Sequence, residues 1–202
     1  MESKTLGDFL WRISIDYVRY GYTRYVLREI PEEKDLEAID QKLTQAYSVS
    51  ACRVTRHRQR TKGLASVQYL RFQRRFVLLA TQGTHPEFDR LCSYDIRTCP
   101  LHFEGYSIGI IGKRSCVRVA RRQWRLVEIE MLALATRDRA KVETAFNTLP
   151  YYNFPGVVEQ KLKLVKKINA LRKPKRLPSV KIQIPITDVK GAYIRRRLYK
   201  TP

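Results

Sequence analysis

Acidic and basic residues are segregated along this 202-residue chain, and the segregation limits which segments can enter a core. Between Asp40 and Glu87 there is no acidic residue, whereas nine residues are basic, so this first block carries a charge of +9. From Glu159 to Pro202, fourteen basic residues face two acids, which gives a second block of +12. The two blocks account for the whole net charge of +21. Residues 53–62 in particular are too polar and too basic to pack inside.

A net charge of +21 with a pI near 10.2 indicates a polyanionic partner, because such an excess otherwise costs self-repulsion. Nucleic acid is the commonest partner of this kind. The alternative is a solvated surface kept for solubility, but solubility does not require long blocks without acids. A membrane partner is not expected, because no apolar run approaches the roughly 20 residues that span a bilayer.

The chain is expected to be cytoplasmic. Its first residues lack the charged and then apolar layout of a signal peptide, and its four cysteines are too scattered for a disulfide framework. Reduced thiols are therefore expected.

Strand and helix patterns alternate in the first 150 residues and predict an α+β fold. Strands are expected at 22–29, 65–72, 76–81, 102–111 and 115–121, forming an antiparallel sheet of about five strands with helices on one face. Asp35 should cap a helix whose apolar positions from Leu36 to Tyr47 form one buried stripe, and the apolar helix 124–135 should lie deep in the core. The element order over residues 22–111 resembles the ferredoxin-like arrangement, which many nucleic-acid-binding proteins use, although no motif accompanies the topology.

The composition predicts a division at residue 150. Residues 1–150 would form an α+β core domain, and residues 151–202 a basic helix with an extended C-terminal tail. The helix should begin after Pro155-Gly156 and end at Pro174, with apolar residues on one face and lysines on the other.

The basic side chains of the two blocks are the expected contacts with a phosphate backbone. Arginine dominates the first block and binds phosphate oxygens bidentately, whereas lysine dominates the second and acts as a point charge. Aromatic residues among the bases would stack on unpaired bases, which favours RNA or single-stranded DNA over duplex DNA. The predicted contacts are Arg53, Arg56, Arg58, Arg60, Lys62, Arg71, Arg74, Arg75, Lys161, Lys163, Lys166, Lys167, Arg172, Lys173, Lys175 and Arg176.

An enzyme is the second hypothesis. His85, Glu87, Asp89 and Asp95 follow a predicted central strand, where a metal-dependent nuclease or strand-transfer enzyme of a mobile element or defence system would place its ligands. A divalent metal would then be the cofactor; otherwise none is expected. Tyr151-Tyr152 would be the nucleophile for strand transfer, although the His-x-His pair of such enzymes is absent from the sequence.

His85, Cys92, Cys99 and His102 have the residue types of a zinc site, but only the last two are closely spaced, so no metal site is predicted. A third hypothesis is a subunit of a ribonucleoprotein or mobile-element complex, with other proteins of that complex as partners.

Overall fold

The computed structural model describes residues 2–182, which form an α+β protein with six α-helices and two antiparallel sheets. The predicted α+β class is confirmed. The chain divides into two compact units, one of residues up to Leu101 with Ile108–Ser115, and one of His102–Ser107 with the chain from Cys116 onward. Among the described residues, no helix is both long enough and apolar enough to cross a bilayer. The last twenty residues of the predicted basic tail lie outside the described part.

The first unit contains a four-stranded sheet in the order β2-β3-β1-β4, made of β1 (Arg24–Glu29), β2 (Val67–Phe72), β3 (Arg75–Ala80) and β4 (Tyr94–Asp95). Strand β3 pairs antiparallel with both β1 and β2. Strands β2 and β3 form the predicted hairpin, and Gln73 takes a positive φ of 54° in its turn. The last four residues of β3 are buried, as its continuous apolar sequence predicts.

Two helices connect β1 to β2. Helix α2 (Leu36–Ala46) begins where predicted, and the Asp35 carboxylate accepts a hydrogen bond from the amide of Ala38 at 2.8 Å. Its apolar stripe was expected to be buried, yet no residue of α2 is buried, and Leu43 packs against the core while partly exposed. Helix α3 (Arg53–Thr61) was not predicted, because it has no apolar face.

The N-terminal segment is helical in three successive geometries, none of which was predicted. Helix α1 (Leu6–Trp11) continues into a π-helix (Arg12–Tyr17) and then a 3₁₀ turn (Val18–Tyr20). Phe9, Leu10 and Ile13 of this segment are fully buried and fix it to the first unit.

The predicted five-stranded sheet is replaced by separate sheets of four and three strands. Strands β5 (Leu101–Phe103), β6 (Tyr106–Ile111) and β7 (Arg114–Val119) form the second sheet, in that order. The expected strand 102–111 is a hairpin, because Glu104 and Gly105 both take positive φ and turn the chain. The ferredoxin-like arrangement is not confirmed, since residues 86–90 form turns in place of its second helix and β4 has two residues.

The second unit contains α4 (Arg121–Ala133), α5 (Arg139–Asn147) and α6 (Pro155–Arg172). Its core includes Met131, Phe146 and Ile168, one from each helix. The prediction that α4 lies deep in the core is wrong: among its residues only Val127 and Met131 are buried. Its other large apolar side chains reach the surface, and Leu126 and Ile129 are more than half exposed.

Candidate nucleic-acid interface

Helix α3 carries a dense set of exposed basic side chains. No residue of the helix is buried, and its first turn contains no acid. Within residues 2–182, none of its basic side chains donates a hydrogen bond or forms an ion pair, and the same holds for the lysine that follows the helix. These five side chains are Arg53, Arg56, Arg58, Arg60 and Lys62, of which Arg56 is half-buried and the other four are exposed.

Like charges repel one another along α3. Arg53 lies three residues before Arg56, which in turn lies four residues before Arg60, and each such pair destabilises a helix by about 0.2–0.5 kcal/mol. A basic residue at the first helical position also opposes the helix dipole. A polyanion bound along the helix would remove this repulsion.

Helix α3 is held at its C-terminal end by close backbone contacts. The amide of Thr84 donates to the carbonyl of Gly63 at 3.0 Å, and the amide of Ala65 donates to the carbonyl of Thr84 at 2.8 Å. Gly83 has a φ of 116°, and a Cβ atom there would lie 2.4 Å from the Gly63 oxygen. Glycine at position 83 therefore allows the segment after β3 to approach the end of α3.

A cleft of about 460 Å³ separates α3 from the N-terminal segment. Arg53, Arg56 and Arg60, which share one face of the helix, line one part of it. Tyr17, Tyr20, Tyr22 and Asp16 line the rest. The Nε atom of Arg56 is buried and has no hydrogen-bond acceptor among the described residues.

The π-helix and the turn after it position the tyrosines of this cleft. The ring of Tyr17 lies edge-on to that of Tyr22, with centroids 5.6 Å apart. Between them, Gly21 takes a φ of 91° and reverses the chain, and Tyr20 is 62% exposed. The guanidinium of Arg19 lies 5.9 Å from the centroid of that ring. π-Helical turns are frequent at functional sites because they displace side chains from the regular helical path.

Two predicted contacts of the first block serve the fold instead. Arg71 is only 4% exposed and donates to both carboxylate oxygens of Asp40, from Nε at 2.8 Å and from Nη2 at 3.0 Å. Arg74 donates to the backbone carbonyls of residues 31, 32 and 34. Neither arginine is part of the proposed interface, because the N–H donors of both already bind acceptors within the protein. Arg75 is half-buried at the start of β3.

The hydrogen bonds of this network keep the Asp40 carboxylate in its charged state. Burial raises the pKa of its carboxyl, but hydrogen bonds from Arg71 and Tyr69 outweigh burial and hold that pKa below the ordinary 3.8. Arg71 also donates to the Glu2 carboxylate at 3.2 Å. Both acids lie outside the acid-free block, so the block's charge is partly neutralised by residues remote in sequence.

The predicted contacts of α6 are also largely engaged. Lys161 is 7% exposed and donates to Asn153, while the guanidinium of Arg172 donates to three backbone carbonyls and is 1% exposed. Because these two side chains are buried and hydrogen bonded, we leave them out of the proposed interface. Lys163 pairs with Glu159 at 2.8 Å, and Lys167 pairs with Glu128. Among the described residues, the predicted contacts of the second block that are exposed and form no ion pair are Lys166, Lys173, Lys175 and Arg176.

Three of the candidate catalytic residues, His85, Glu87 and Asp89, lie in or beside one capped turn, and Asp95 lies in β4. The Asp89 carboxylate accepts the amide of His85 at 2.7 Å and the Arg24 guanidinium at 2.9 Å, and these bonds hold its pKa below the ordinary range. Glu87 pairs with Arg90, and Asp95 with Arg97. Each carboxylate is thus bound to an arginine, as expected for turn and surface residues.

The other chemical candidates are likewise part of the fold. Within residues 2–182, no three His, Cys, Asp or Glu side chains lie close enough to hold a metal ion, and none of the four cysteines forms a disulfide. His85, Cys92, Cys99 and His102 therefore do not form a cluster. The amide of Tyr152 donates to the Tyr106 hydroxyl, and burial raises the pKa of Tyr151, which disfavours the phenolate needed for nucleophilic attack.

No protein-family model, curated protein sequence or solved structure matches this chain. The functional assignment therefore depends on the geometry and charge of the residues described above.

Proposed function

We propose that this protein binds nucleic acid and that α3, with Lys62, contacts the phosphate backbone. The observation that carries the proposal is the set of five basic side chains, four exposed and one half-buried, that lack hydrogen-bond and ion-pair partners among the described residues. Arginine supplies paired N–H donors that match phosphate oxygens. Bound phosphates would also attract the arginines of α3 and so offset the repulsion between these side chains. The exposed bases at 166, 173, 175 and 176 are proposed as secondary contacts.

RNA or single-stranded DNA is the preferred ligand class. Tyr20 presents an exposed aromatic ring beside the arginines of α3, and such rings stack on bases that are free of a complementary strand. An aromatic ring next to a row of cations is the combination that single-strand binders use.

The test is a salt titration of binding to matched single-stranded and double-stranded DNA and RNA. For the wild-type protein, log affinity should fall linearly with log salt, because each neutralised phosphate releases bound counterions. The variant Arg56→Ala/Arg58→Ala/Arg60→Ala should bind at least about tenfold more weakly at low salt, and its slope should be shallower by about 2 to 3.

The matched control is Arg121→Ala/Arg122→Ala/Arg125→Ala, which removes three exposed arginines from helix α4 and changes the net charge equally. Far-UV circular dichroism should confirm that both variants fold. Equal losses in the two variants would mean that only net charge matters and would refute an interface on α3. Failure of the wild-type protein to bind any polynucleotide at low salt would refute the proposed function itself.

A further inference from the structure

We propose that the cleft between α3 and the N-terminal segment binds one unpaired nucleotide, with its base stacked on Tyr20 and its phosphate on Arg53, Arg56 and Arg60. This inference rests on the proposed function and specifies its ligand. Such a site would make the protein bind single strands in preference to duplexes, rather than bind any phosphate backbone equally.

The charges around the cleft orient the nucleotide. The arginines lie on the helix side, whereas Asp16, the single acid among the lining residues, lies on the same segment as the tyrosines. A carboxylate repels a phosphate, so the phosphate belongs at the helix and the base belongs among the aromatic rings.

The size and exposure of the cleft favour a single nucleotide. Its volume of about 460 Å³ falls in the range of about 300–1,000 Å³ that small-ligand sites span. In a duplex the faces of the bases are covered by their neighbours, so the Tyr20 ring has access only to a base that has left the stack. The neighbouring Tyr17–Tyr22 pair is fixed by ring contact and provides a rigid wall.

The decisive measurement compares binding of one strand alone and in duplex with its complement, as DNA and as RNA. A fluorescein-labelled oligonucleotide of about twelve nucleotides is long enough to fill the site. Tyr20→Ala should weaken binding of the single strand about tenfold and leave duplex binding unchanged, because only a free base loses stacking. Tyr20→Phe keeps the ring and should bind like the wild-type protein.

A second matched pair separates the cleft from the rest of α3. Arg53 lines the cleft and Arg58 does not, yet both are exposed on the same helix and carry the same charge. Arg53→Ala should lower the ratio of single-strand to duplex affinity, whereas Arg58→Ala should weaken both ligands equally. Thermal unfolding should show that each variant remains folded.

The outcomes distinguish the two proposals. If α3 variants weaken binding but Tyr20→Ala leaves the single-strand to duplex ratio unchanged, the nucleotide site is wrong and the proposed function stands. If the wild-type protein binds neither ligand, the proposed function fails. A loss of ratio in Tyr20→Ala that Tyr20→Phe does not share establishes stacking in the cleft.

Discussion

Helices α3 and α6 both belong to strongly basic blocks, yet their basic side chains have different surroundings. On α6 the long side chains at 161 and 172 are buried and hydrogen bonded, and those at 163 and 167 pair with glutamates. On α3 no basic side chain has such a partner among the described residues. The comparison indicates that charge available to a ligand depends on pairing in three dimensions, and that α3 has far more of it.

The largest expected effect concerns the buried side of this comparison. Arg172→Ala should lower the free energy of unfolding by about 4 kcal/mol, because it removes three hydrogen bonds from a charged donor, a buried one to the carbonyl of Ala135 and two partly buried ones to the carbonyls of Arg137 and Pro178. Chemical denaturation without nucleic acid measures this loss. The control Arg58→Ala should change stability by no more than about 0.5 kcal/mol, since its side chain is exposed.

Unfolding of Arg172→Ala and Arg58→Ala at the same denaturant concentration would contradict the inferred difference between the buried arginine of α6 and the exposed arginine of α3. Burial on α6 would then contribute nothing measurable to the fold. Arg172→Lys should retain only part of the stability, because an ammonium cannot place donors as the planar guanidinium does.

A smaller effect is expected for the ion pair between Asp40 and Arg71, the buried arginine of the first block. Asp40→Asn removes the charge opposite Arg71 and should lower the free energy of unfolding by about 2 kcal/mol at neutral pH. Because the folded state holds the Asp40 pKa below its ordinary 3.8, this contribution is present above that pH. It should disappear as the pH falls through the folded-state value.

Denaturation at neutral pH and near pH 3 tests this direction, since about 3 lies below the ordinary pKa of an aspartate. The difference in the free energy of unfolding between the wild-type protein and Asp40→Asn should be smaller at about pH 3 than at neutral pH. Glu33→Gln, which alters an exposed acid, should show no comparable gap at either pH. A gap that widens in acid would contradict the assigned role of Asp40.

Local patterns predicted much of this fold. The hairpin of β2 and β3, the cap of α2 by Asp35 and the helix α6 were all foreseen, because each depends on residues that are near in sequence. Whether strands join one sheet or two depends on contacts that no local pattern encodes. The turn at Glu104 and Gly105 divides the expected strand 102–111 into β5 and β6, which pair in the second sheet.

The candidate site was predicted only in part. The density of arginines predicts residues 53–60 as contacts, which stays a prediction, but the sequence does not indicate the other side of the cleft, Tyr17, Tyr20 and Tyr22, which come more than thirty residues earlier. Arg71 was assigned to the surface because no acid is near it in sequence, whereas Asp40 reaches it across the fold. Counting charges along the chain does not reveal such pairs.

The smallest expected effect concerns the paired lysines of α6. In Glu128→Gln/Glu159→Gln, Lys167 and Lys163 lose their acidic partners and become available to phosphate. Affinity for a single strand at low salt should rise two- to threefold, or about 0.5 kcal/mol, the size of an exposed ion pair. Stability should change little, since such pairs contribute little to folding.

The control Glu33→Gln/Glu37→Gln raises the net charge equally at exposed acids of the first unit. A larger gain in the α6 variant than in this control would mean that pairing with glutamate is what restrains the lysines. Equal gains would reduce the effect to net charge. If Lys163→Ala/Lys167→Ala in the otherwise wild-type protein weakened binding as much as the α3 triple variant, the two helices would contribute alike, and the inferred difference between them would be wrong.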